Sequence, residues 1–107
     1  MNNRPTITIV TICYNAQATI SRTLESIQAQ TYTELEYLVI DGASKDATLE
    51  LVAQLAPRAQ VFSERDHGLY DAMNKGLKRA TGDYVWYINA GDALPSPTTV
   101  EELVADA

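Results

Sequence analysis

Four short segments hold the residues able to do chemistry: Cys13-Tyr14-Asn15, Asp41-Gly42, Ser63-Glu64-Arg65-Asp66 and Asn89-Ala90-Gly91-Asp92. Each follows a run of β-branched, apolar or aromatic residues, and three of the four carry an acid. Carboxylates and hydroxyls gathered on one edge favour a ribose, base donors and a hard cation over a bare phosphate. One acid at a strand end is as readily the cap of the next helix. Several on one edge repel one another and require a cation or a ligand donor. The first turn, Thr11-Ile12-Cys13-Tyr14-Asn15-Ala16, fits neither G-x-G-x-x-G nor G-x-x-x-x-G-K-[ST], so no glycine loop cradles a phosphate. A diphosphate would then need a metal. Asp92, just after Ala90-Gly91, is the best-placed carboxylate, and Mg²⁺ or Mn²⁺ suits one or two carboxylates joined by phosphate oxygens and waters.

The elements that position these residues follow from periodicity. Thr6 to Cys13 is β-branched almost throughout and suits a strand buried on both faces. Asn15 can cap a helix in which Ile20, Leu24 and Ile27 share one face, lasting to about Gln30. Leu35 to Asp41 is a second strand. Ser44 or Asp46 caps a second helix with Leu49, Val52 and Leu55 inward, and Pro57 ends it. Gln60 to Ser63 is a short third strand. Leu69, Ala72, Met73, Gly76, Leu77 and Ala80 then make one helix face, with Gly82 as the stop, and Tyr84 to Asn89 is a fourth strand. Thr99 and Glu102 have the spacing of a capping box that starts one more helix. The order βαβαβαβ predicts an α/β fold, a parallel sheet with helices on both faces and ligands beyond the carboxyl ends of its strands.

Composition narrows the partners. The 107 residues suit one domain, and 14 acidic against 8 basic residues give a net charge of −6. No basic stripe is present, which argues against nucleic acid or an anionic membrane. The lone Cys13 cannot staple the fold and reads as a small core residue in a reduced, cytoplasmic setting. No apolar run is long enough to span a bilayer.

Taken in order, Thr8-Ile9-Val10-Thr11-Ile12-Cys13-Tyr14-Asn15, Leu38-Val39-Ile40-Asp41-Gly42-Ala43-Ser44-Lys45-Asp46, Gly68-Leu69-Tyr70-Asp71-Ala72-Met73-Asn74-Lys75-Gly76, Gly82-Asp83-Tyr84 and Asn89-Ala90-Gly91-Asp92 resemble family 2 glycosyltransferases of the GT-A fold. The resemblance runs from about Pro5 to Leu94, and its variant motifs look like those of the bacterial branch that builds O-antigen, capsule and colanic-acid-type polysaccharides. It implies a Rossmann-like, nucleotide-sugar-binding front part of the enzyme domain over residues 1–107, truncated at its C-terminal end. By this resemblance Ile12, Cys13 and Tyr14 line the base and ribose, Asp41 accepts a hydrogen bond from the base ring, and Asp66 contacts the nucleotide. Asp71, Asn74 and Lys75 lie near the donor sugar, and Asp92 matches the last acid of the D-x-D metal motif, holding Mn²⁺ or Mg²⁺. The acid acting as base in an inverting transfer is expected beyond Ala107, so this segment alone is expected to be inactive. Its donor is a nucleotide sugar, UDP-linked by preference. Its acceptor is a glycan or lipid-linked glycan, with peripheral placement at the inner membrane face as a second setting for a longer parent. The sequence departs from the pattern at Met73, where many relatives have arginine, leaving Lys75 or another segment to supply positive charge. It departs again in the D-x-D motif, where glycine stands in place of a second acid.

Blander readings stand beside these. His67 has no partner for a metal cluster and reads as a solvated loop residue. Asp71 and Asn74 could equally be surface residues, and Trp86 with Tyr84 reads as core. A phospho-receiver module shares the length and element order but needs an acidic pair after the first strand, where Tyr14-Asn15 offers none. A nucleotide binder without catalysis stays open, as does self-association through a sheet edge left uncovered.

Overall fold

The computed structural model describes residues 4–106. Four strands, β1 (Ile7–Cys13), β2 (Leu35–Asp41), β3 (Gln60–Ser63) and β4 (Tyr84–Tyr87), form one parallel sheet in the order β3-β2-β1-β4. Helices α1 (Ile20–Gln28), α2 (Thr48–Leu55), α3 (Leu69–Arg79) and α4 (Thr99–Ala105) complete the predicted alternation.

The two-residue strand period sorts the core into two layers. Ile7, Ile9, Tyr37 and Val39 face one side, where they meet Ile20, Leu24 and Ile27 of α1, Val52 of α2 and Val100 of α4. Val10, Leu38 and Ile40 face the other, against Ala72 of α3. β1 and β2 therefore read as unbroken apolar runs because both of their faces are covered. Gly76 is the contact that lets α3 lie down on the sheet, since a Cβ there would stand 2.7 Å from Val10 Cγ1.

Several boundary and capping expectations are corrected. Asn15 does not cap α1: it has φ 47°, and its side-chain oxygen accepts the Lys45 N–H at 2.8 Å, while Thr19 occupies the N-cap. Ser44 turns back to Asp41, leaving Asp46 to hold the start of α2 by accepting the Thr48 N–H at 2.9 Å. Inside α2, Leu51 and Leu55 rather than Leu49 pack on the core. The capping box at Thr99 does not form, because Thr98 is the N-cap and its hydroxyl donates to Glu102. α3 buries only Ala72 and Gly76, and its Leu69 and Leu77 are exposed. Tyr84 is likewise exposed, while Trp86 packs against the core. β4 stops at Tyr87, two residues early, although Ile88 still donates its N–H to Val10 O at 2.9 Å. Gly82 is no left-handed helix stop. α3 ends at Arg79, and Gly82 is needed for close approach, since a Cβ there would stand 2.8 Å from both Thr6 O and Thr8 N.

Candidate functional site

Parallel pairing in register brings three strand ends together, with Asp41 opposite Cys13 on one side and opposite Ser63 on the other. Asp41 is fully buried. Its Oδ1 accepts the Ser44 hydroxyl at 2.5 Å and the weak Cys13 thiol donor at 3.4 Å. Its Oδ2 accepts the Ser44 N–H at 2.8 Å and the Ser63 hydroxyl at 2.8 Å. Four donors fill the lone-pair positions of one carboxylate. Burial pushes the Asp41 carboxyl up, but the Ser44, Ser63 and Cys13 hydrogen bonds together outweigh it and hold the group below its ordinary value. The same contact works in reverse on Cys13, where burial and the Asp41 charge raise the thiol far above its ordinary value, so it stays protonated and is no nucleophile. The Asp41 to Ser44 turn also holds Ala43 at φ 66°, a conformation disfavoured by about 1–2 kcal/mol for a residue with a Cβ.

In front of this cluster lies an open cleft of about 700 Å³ lined by Ile12, Cys13, Tyr14, Gly42, Ala43, Lys45, Arg65, Asp66, Gly68, Leu69 and Ala72. Tyr14 is more than half exposed at its rim. Asp66 reaches in from the β3–α3 loop with its Oδ2 only 3.0 Å from where a Cβ on Gly42 would stand. Its other oxygen accepts a hydrogen bond from Lys75 Nζ at 2.8 Å. Among the described residues Lys45 and Arg65 form no ion pair.

The cleft thus gathers Ile12, Cys13, Tyr14 and Asp66, with Asp41 directly behind Cys13. Asp41, expected to accept from a base ring, has no vacant acceptor as it stands, and a ligand N–H must replace one of its donors. Asp71 and Lys75 lie outside the lining, paired to each other at 3.3 Å, and Asn74 is exposed on α3. The ammonium of Lys75 is surrounded by the carboxylates of Glu64, Asp66 and Asp71. Gly42 and Arg65, both within the strand-end segments picked out from the sequence, also line the cleft, whereas Lys45 lies outside those segments and enters the lining from the turn after β2.

Asp92 does not line the cleft; it stands at the β4 end, exposed. Its loop is fastened to α1, where the Thr23 hydroxyl donates to Asp92 O at 2.5 Å and accepts the Gly91 N–H at 2.9 Å. Among the described residues no group of three His, Cys, Asp or Glu could hold a metal ion. One exposed carboxylate fits a cation that takes its remaining ligands from a diphosphate and water, and does not fit a cation held by protein alone.

A family model described as glycosyl transferase family 2 matches residues 8–107. The chain belongs to that family. Among its relatives, a glycosyltransferase of Mycobacterium tuberculosis H37Rv is 36% identical over 106 residues, covering 97% of this chain and 40% of that protein. The PGL/p-HBAD biosynthesis glycosyltransferase of Mycobacterium bovis BCG is 33% identical over 105 residues, covering 94% of this chain and 41% of that one. The family 2 chain thus spans about 40% of the length of these curated relatives. Its fold is that of solved GT-A enzymes. The mannosyltransferase PcManGT from Pyrobaculum calidifontis, in complex with GDP-Man and Mn²⁺, superposes with a TM-score of 0.83 at 29% identity, covering 96% of this chain and 31% of that one. S. aureus TarS in complex with UDP-GlcNAc superposes with a TM-score of 0.85 at 24% identity, covering 94% and 30%. The α/β architecture and the family 2 assignment expected from the sequence therefore hold. No helix among the described residues is long and apolar enough to cross a membrane.

Proposed function

We propose that this chain is the donor-binding part of an inverting glycosyltransferase that moves a sugar from a UDP-linked donor to a glycan or lipid-linked glycan in bacterial surface polysaccharide synthesis. The observation that carries the reading is the cleft at the carboxyl ends of β1 and β2, with Asp66 inside it and Asp41 behind it. A nucleoside enters there against Tyr14. Uracil offers a single ring N–H, and it reaches Asp41 by displacing the weakest donor, the Cys13 thiol at 3.4 Å. The open oxygen of Asp66 accepts a second nucleoside donor.

From β2 across β1 to β4 is two strand spacings, about 10 Å, a distance that a diphosphate extending from the nucleoside can cover. Lys45 and Arg65 supply positive charge on the near side, and Asp92 shares Mn²⁺ or Mg²⁺ with the diphosphate on the far side. When bound, the cation neutralises the departing diphosphate. PcManGT with its GDP-Man and Mn²⁺ supports a shared cation. Asp71 and Asn74 border the donor sugar from α3. The base that deprotonates the acceptor belongs to a segment other than this one. The open edge of β4 and the exposed Leu69, Tyr70 and Leu77 leave apolar surface through which this chain, alone, associates with itself.

Isothermal calorimetry with UDP, GDP and ADP in the presence of Mn²⁺ tests the reading. UDP is expected to bind at least about tenfold more tightly, about 1.4 kcal/mol. Equal affinities overturn the choice of base, and absence of binding by all three overturns the nucleotide site itself.

A further inference from the structure

Lys75 stands at the centre of the most concentrated charge cluster in the described chain. Its Nζ lies 2.8 Å from Asp66 Oδ1, 3.3 Å from Asp71 Oδ2 and 3.4 Å from Glu64 Oε1, and it donates to Arg65 O at 2.9 Å. The side chain is only 18% exposed. One ammonium among three carboxylates leaves unbalanced negative charge, a poor arrangement if stability were its only use, since the carboxylates repel one another. The bonds have a common target. They fasten the loop between β3 and α3 at Arg65 O and at the Asp66 carboxylate, while Asp71, one helical turn before Lys75, accepts the His67 N–H at 2.9 Å. The loop then turns into α3 at Gly68, with φ 104°.

The consequence falls on one atom. With Oδ1 of Asp66 bound to Lys75, the carboxylate cannot rotate freely, and Oδ2 points to the gap beside Gly42 and Tyr14 in the cleft. Glycine at position 42 keeps that gap open, because a Cβ would stand 3.0 Å from Oδ2 and 3.4 Å from the Tyr14 ring.

We infer that Lys75 is a positioning residue for nucleoside recognition: it acts through Asp66, orienting the open carboxylate oxygen, and does not neutralise the donor's diphosphate. This rests on the reading of the cleft as a nucleoside site. The ammonium is already engaged by three carboxylates, whereas Lys45 and Arg65 line the cleft without ion pairs among the described residues.

The test is a double-mutant cycle read with two ligands, uridine and UDP, by calorimetry. Lys75→Met is expected to weaken both by the same factor, about tenfold, and to have almost no further effect in an Asp66→Asn background. Lys75→Arg, which keeps the charge and donors, is expected to restore most of the affinity. Weakening of UDP with uridine unchanged would assign Lys75 to the diphosphate and overturn the inference. So would a lowered melting temperature with both affinities intact, which marks a purely structural tether, or additive losses in the cycle. Failure of the wild-type protein to bind uridine or UDP removes the nucleoside site and this assignment with it. Intact wild-type binding without coupling between Lys75 and Asp66 removes the assignment alone.

Discussion

Thr23, buried in the middle of α1, holds the backbone of Asp92 from 69 residues away: its hydroxyl donates to Asp92 O at 2.5 Å and also accepts the Gly91 N–H. The loop carrying the proposed metal ligand is therefore shaped by a helix from the opposite end of the chain. Gly91 has φ 102°, so the loop also depends on a residue without a Cβ at its turn. Thr23→Val keeps the shape and removes both bonds, leaving a peptide N–H and a carbonyl without their partner. We expect a loss of about 1–3 kcal/mol in stability. Amide hydrogen exchange at Gly91 should accelerate, and an unchanged rate would refute the fastening.

Asp92→Asn isolates the carboxylate from its loop, because the Thr23 bonds are to backbone atoms. UDP binding should strengthen on adding Mn²⁺ to the wild-type protein, and the variant should lose that enhancement while binding uridine as before. Titration in EDTA and in manganese decides it. Equal UDP affinity in the two conditions removes the metal from the donor site.

Asp41 makes stability depend on pH. Its carboxyl is held below the ordinary value by the Ser44, Ser63 and Cys13 donors acting against burial. A lowered pKa in the folded state gives stability that is complete above the unfolded value, about 4, and is lost as pH falls through the folded one. Asp41→Asn, which replaces one acceptor oxygen by a donor, should cost about 1.5–3 kcal/mol at pH 7. The gap to the wild-type protein should narrow below about pH 4. Denaturant titrations at pH 7 and at acid pH measure it, and a gap independent of pH would show that the charge plays no part.

Gly82→Ala tests the close approach at the entry to β4. The added Cβ would meet Thr8 Oγ1 at 2.5 Å as well as the β1 backbone, and Gly82 N–H donates to that same hydroxyl at 2.9 Å. Thr8 in turn donates to Glu36 of β2, which accepts both the N–H and the hydroxyl of Thr81. Backbone must shift to make room. We expect destabilisation of about 1–3 kcal/mol, read as a lower denaturation midpoint with an unchanged slope. An unaltered midpoint would mean that the turn has slack.

Element order and type were legible from residues alone, because strand and helix periods are local properties of neighbouring side chains. The β-branched runs at Ile7–Cys13 and Leu35–Asp41 and the spacing of Ile20, Leu24 and Ile27 are such signals. So was the gathering of strand-end residues on one edge, which parallel pairing imposes. Caps were read less well: Asn15 had good capping chemistry but accepts from Lys45 30 residues on, while Ser44 and Thr99 turn back to Asp41 and Ser96 three residues earlier. Only the tertiary structure decided that Asp41 is saturated by Ser44, Ser63 and Cys13, that Lys75 pairs with Asp66, and that Thr23 fixes the Asp92 loop. A carboxylate, an ammonium or a hydroxyl can bond whatever lies within about 3 Å, and for residues dozens of positions apart that neighbour is set by how the strands pair and the helices pack.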